Sequence, residues 1–70
     1  MIDTLTLRVE GMTCDGCVSS VYNAINELAG VKNVDVNLPL KTAVIDYDDT
    51  QLDKIELINA VEEAGFSVTP

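Results

Sequence analysis

The sequence predicts one α+β domain over residues 1–70, a βαββαβ sandwich in which four antiparallel strands form a single sheet and two helices cover one of its faces. Three observations carry that expectation. Apolar and polar residues alternate along residues 4–10, 32–38 and 43–48, the period of strands with one buried face. Apolar residues recur at three- and four-residue spacing along residues 18–28 and 52–64, the period of helices with one buried stripe. The two halves also echo each other, because Ala29-Gly30-Val31 and Ala64-Gly65-Phe66 each follow a helical stretch and lead into a strand.

In the first strand Leu5, Leu7 and Val9 alternate with Thr4, Thr6, Arg8 and Glu10. A Gly-rich turn follows, and Val18, Val21, Tyr22, Ile25 and Leu28 then mark a helix over about residues 15–29, closed by Gly30 in a left-handed conformation. Val34, Val36 and Leu38 share one face of a second strand over residues 32–38. Pro39-Leu40-Lys41 makes a short connection to a third strand in which Ala43, Ile45 and Tyr47 share a face, so these two strands pair as a hairpin. Asp48-Asp49-Thr50 reads as a loop, and Thr50 with Asp53 three residues later resembles a capping box for the second helix. Its stripe is Leu52, Ile55, Ile58, Val61 and Ala64, it stops at Gly65, and residues 66–69 form a short last strand. Right-handed crossovers interleave the halves into the ferredoxin-like arrangement.

Seventy residues leave no room for a multi-domain enzyme, and no run reaches the roughly 18 apolar residues of a membrane span. The amino terminus shows neither the basic nor the apolar region of a secretory signal, so the cytoplasm is the expected compartment by default. Twelve acidic against four basic residues give a formal charge of -8, which opposes binding to a phosphate backbone and serves solubility or the steering of a basic partner. Folding should not require a ligand, since the strands and helices bury their stripes without one; a bound metal should raise the melting temperature.

Both cysteines, Cys14 and Cys17, lie in Gly11-Met12-Thr13-Cys14-Asp15-Gly16-Cys17, at the junction of first strand and first helix, and the chain has no histidine. A helix amino terminus favours thiolate over thiol. Two thiolates do not complete a structural zinc site, but they suffice for a soft ion of low coordination number such as copper(I), silver(I) or mercury(II). Gly11 and Gly16 can relax the backbone where the turn demands positive φ. The same spacing is also that of a dithiol oxidoreductase. Such enzymes place a proline opposite the cysteines, and neither Pro39, in the hairpin, nor Pro70, at the terminus, suits that role. Metal binding is favoured over redox exchange.

The Gly-Met-Thr-Cys-x-x-Cys run, with Leu28-Ala29-Gly30-Val31, the strand of residues 34–38, residues 43–48 and the Ala64-Gly65-Phe66 exit, resembles the heavy-metal-associated domain family, bacterial copper chaperone type. The resemblance implies that Cys14 and Cys17 bind copper(I) as paired thiolates. It implies a cytosolic metallochaperone that hands its ion to the metal-binding domain of a copper-transporting P-type ATPase. Alternatives within the resemblance are the amino-terminal domain of such an ATPase and a mercury-binding carrier. A chain of this length beginning at methionine favours the free carrier, monomeric without metal and able to form a metal-bridged dimer.

The neighbours of the cysteines are supporting residues in this reading. Met12 is an apolar packing residue beneath the loop rather than a thioether ligand. Asp15, just before the helix, suits a cap better than a ligand for zinc(II). Thr13 stands where zinc-transporting relatives of the family often carry an acid, which favours copper(I). Phe66 falls where the family places a residue that approaches the metal loop, tyrosine in many free bacterial chaperones and phenylalanine in many ATPase domains. Asp15, Glu62 and Glu63 are exposed acids expected to flank the loop, and Tyr22 and Tyr47 are read as partly buried scaffold.

Overall fold

The chain runs β1 (Ile2–Glu10), α1 (Asp15–Asn26), β2 (Val31–Asn37), β3 (Thr42–Asp48), α2 (Lys54–Glu63) and β4 (Ser67–Thr69) in the computed structural model, which describes residues 1–69. Pro70, set aside above as a terminal proline, lies outside the described residues. The strands form one sheet in the order β2-β3-β1-β4. Every pairing is antiparallel, with Leu7 opposite Ala43, Val34 opposite Ile45, and Val9 opposite Val68. This is the ferredoxin-like βαββαβ sandwich expected from the periodicity.

The alternation places Leu7 and Val9 of β1, Val34 of β2, and Ala43, Ile45 and Tyr47 of β3 in one buried cluster with Val21 and Ile25 of α1 and Leu57 and Val61 of α2. Each large aliphatic side chain buried there contributes roughly 1.5–3 kcal/mol. Polar residues on the opposite face of the sheet pair across strands, as in the 2.7 Å hydrogen bond that the Thr4 hydroxyl donates to Asp46.

The helices differ in detail from the expected ones. α1 ends at Asn26 rather than near Ala29, because Glu27 N–H still bonds the Asn23 carbonyl while Leu28 N–H reaches back only to Ile25, tightening the last turn. Gly30 then takes φ +99°, and a Cβ there would lie 3.0 Å from that of Gln51, so only glycine suits the position. α2 starts at Lys54 with Asp53 as its N-cap, and no capping box forms at Thr50. Thr50 instead gives both its N–H and its hydroxyl to Asp48 Oδ1, at 3.0 and 2.6 Å, a local turn that competes with helix. The buried stripe differs from the expected one, although Ile58 does pack against the core. Leu57 and Val61 face the core, Leu52 packs from the preceding turn, and Ile55 and Ala64 are exposed. Tyr22, expected to be partly buried, is 42 % exposed, whereas Tyr47 is buried at 4 %.

The turn between β2 and β3 contains the one non-glycine residue in the left-handed region among the described residues, Lys41 at φ 55°. Its carbonyl accepts a 2.8 Å bond from Val9 N–H, which ties the turn to the end of β1. Lys41→Gly should raise stability in urea unfolding by up to about 1 kcal/mol, the relief of left-handed strain less the added backbone entropy of glycine.

Candidate metal centre

β1 delivers the chain to the site, and Gly11 turns it. Gly11 adopts φ +96°, a conformation an L side chain rarely takes, and the Phe66 ring covers the spot where a Cβ would sit, with its Cδ1 3.6 Å away. Phe66 therefore does approach the loop, as a half-buried ring packed on the core. Met12 points the other way. It is 1 % exposed and belongs to the buried cluster with Leu7, Val9 and Ile25.

Cys14 is the N-cap of α1, in extended conformation, and Cys17 is the third residue of the helix. One residue in and one at the edge of the first turn bring the two sulfurs to 3.3 Å. Both are free thiols, Cys14 exposed and Cys17 half-buried. The separation exceeds the roughly 2.05 Å of a disulfide. It falls within the span that one ion about 2.3 Å from each thiolate can bridge.

The environment favours the charged form of Cys17. Its thiol is held below the ordinary value first by hydrogen bonding from the Thr13 backbone and then by the Cys14 side chain, against a smaller upward push from burial. The first cause is thus main-chain, with the Thr13 hydroxyl adding a smaller downward contribution. Peptide-mapped alkylation with iodoacetamide across pH should show Cys17 reacting with a midpoint below that of an ordinary thiol. The same depression links to stability. A lowered folded pKa contributes stability that is fully present above the unfolded thiol value and is lost as pH falls through the folded one.

Two expectations for this loop are corrected. Asp15 is no cap, because the capping position belongs to Cys14 and no side-chain cap bond forms. It is the first helical residue, exposed, with its charge at the positive end of the helix. Gly16 needs no positive φ, since it lies inside α1 and, of the glycines among the described residues, Gly11, Gly30 and Gly65 are the ones that take such values. A Cβ at Gly16 would make an ordinary 3.7 Å contact with Cys14 Sγ. Glu62 and Glu63 are exposed at the end of α2, which leads through Phe66 into the pairing of Ser67 with Glu10 and so flanks the loop.

No cluster of three or more histidine, cysteine or acidic side chains able to hold an ion occurs among the described residues, so the candidate donor set is the sulfur pair alone. A two-donor site that is open on the Cys14 side can accept a further sulfur from outside. The turn at Lys41, a hairpin connection by its sequence, stands beside the end of β1 that leads into this loop, through its bond to Val9. No sequence signal gave that proximity, because it depends on the sheet register.

The model of the heavy-metal-associated domain family matches residues 6–67. The copper chaperone CopZ of Staphylococcus saprophyticus is 38 % identical over 65 residues, covering 93 % of this chain and 96 % of that protein. The periplasmic component of the mercuric transport protein of Pseudomonas fluorescens is 41 % identical over 63 residues, covering 90 % of this chain and 69 % of that protein. Among solved structures, the amino-terminal domain of a potential copper-translocating P-type ATPase from Bacillus subtilis, in its copper(I)-loaded state, superposes with a TM-score of 0.93 at 29 % identity, covering 99 % of this chain and 86 % of that one.

Proposed function

The chain belongs to the heavy-metal-associated domain family, and on that premise we propose that it is a cytosolic copper(I) metallochaperone of one domain, with Cys14 and Cys17 as the ligands. The observation that carries the reading is the pair of free sulfurs 3.3 Å apart at a helix amino terminus, with no cluster of three or more histidine, cysteine or acidic side chains able to hold an ion among the described residues. Copper(I) favours thiolate and tolerates so few ligands. The likeness to a copper chaperone over nearly the full length of both chains supports the same cargo.

Delivery follows from the open side. A thiolate of a receiving domain adds to the ion, one of the two sulfurs here leaves, and exchange of the second completes the transfer with no change in oxidation state. Exposed Cys14 is the sulfur an incoming ligand meets first. The receiver is the metal-binding domain of a copper-transporting P-type ATPase, a reading supported by the likeness to such a domain. No bond is made or broken in a substrate, so the protein needs no catalytic group. It is monomeric without metal, and two copies can meet around bridging copper.

Anaerobic copper(I) titration against a competing chelator, followed by transfer to a purified ATPase domain, tests the proposal. Tight one-to-one binding and equilibration between the two proteins are expected; weak binding together with disulfide reductase turnover would overturn it. A mercury carrier is the second reading, favoured by the 41 % identity to a mercuric transport component of the periplasm. Silver(I), mercury(II) and zinc(II) titrations under the same competition rank the cargoes.

A further inference from the structure

β2 is the outer strand of the sheet on its side, and among the described residues no backbone hydrogen bond from a loop or terminus reaches residues 32–37. Along this edge runs a groove of about 370 Å³ between α1 and β2, lined by Val18 and Tyr22 of the helix and by Val34, Asp35 and Val36 of the strand. Its size falls within the roughly 300–1,000 Å³ of small-ligand sites. Tyr22 is unexplained by the core: it lies in the apolar register of α1 and yet stays 42 % exposed at the groove.

The strand alternation sorts the groove chemically. Val34 and Val36 face the helix-covered side, and Asp35 between them stays exposed on the other. Asp35 is the only charged lining residue, and the whole chain carries -8. A second copy bringing another -8 is disfavoured at long range, whereas a basic segment is attracted. An extended segment laid antiparallel or parallel to β2 would pair with the free edge and send every second side chain into the groove.

We propose that the α1–β2 groove, with the free edge of β2, is a docking site for an extended peptide segment that alternates aliphatic and basic residues. The aliphatic residues enter between Tyr22 and Val36, and a basic residue meets Asp35. Such a segment, from a partner's tail or linker, binds beside the cysteine loop without occupying it, and the proposal does not depend on which metal the loop carries.

The test uses an N-acetylated seven-residue peptide alternating valine and lysine, titrated into the isotope-labelled full chain and followed by amide and tyrosine-ring chemical shifts. Saturable shifts confined to Tyr22, Val34, Asp35, Val36 and their neighbours are expected. Asp35→Lys and Tyr22→Ala should each weaken binding about tenfold, the size of one close charge or aromatic anchor contact. Both side chains are exposed, so melting temperatures of the variants should match the parent. A valine–glutamate peptide, and the valine–lysine peptide N-methylated at alternate amides, should bind at least about tenfold more weakly. Equal affinity for either control, shifts spread over the acidic surface, or no saturation would overturn the proposal. So would concentration-dependent dimerisation through β2 amides without peptide, which would make a second copy the occupant.

Discussion

Cys14→Ser and Cys17→Ser should each lower copper(I) affinity by more than the roughly 10–100-fold that loss of an outer-shell partner costs at a metal site. With two candidate donors among the described residues, removing one removes half the set, and a hydroxyl is a poor ligand for a soft ion. Neither change should unfold the chain. Cys14 is exposed and Cys17 only packs against the edge of the buried cluster. Chelator competition reads the affinity, and thermal melts supply an independent check. Saturating copper(I) at about 100 times its dissociation constant stabilises a binding-competent fold by about 2.7 kcal/mol, and that shift should vanish in both variants. Retention of tight binding by either single variant would sink the assignment of the pair.

Met12→Ala should destabilise the protein by about 2–5 kcal/mol, the usual range for emptying a fully buried aliphatic position. Met12 is 1 % exposed beneath the loop, packed in the same cluster as Leu7, Val9 and Ile25. A chain of this length has a total stability of roughly 3–10 kcal/mol, so the loss is a large fraction of it. Met12→Leu keeps the volume and should cost less than about 1.5 kcal/mol. Its copper(I) affinity should equal that of the parent, because the thioether sulfur lies in the core and not at the ion. An affinity loss in Met12→Leu comparable to that of a cysteine variant would reassign Met12 as a ligand. Urea unfolding and copper competition on the same pair of variants separate the two roles.

Strand periodicity was legible because each strand has one wet face: the alternation through Leu5, Leu7 and Val9, and through Ala43, Ile45 and Tyr47, can be satisfied in only one register against a single helical layer. The helices were legible as elements but not in their ends or exact faces. Thr50 has the spacing of a cap, yet Asp48 captures its hydroxyl and N–H, and the second helix waits for Asp53. Within that helix Leu57 and Val61 hold the core face while Ile55 stays in solvent. Asp15 misled for a related reason, since the extended conformation at Cys14 assigned the cap to the cysteine itself.

By itself the sequence determined the order of elements, the chain's one sulfur pair and its place at the start of the first helix, because these depend on local periodicity and on residue spacing along a single turn. Tertiary structure decided what spacing does not encode. It brought Phe66 over Gly11, set Lys41 beside the end of β1, and left Tyr22 uncovered beside the free edge of β2. Each of those relations joins residues through a main-chain path or a sheet register, and neither is written in the identity of any one side chain.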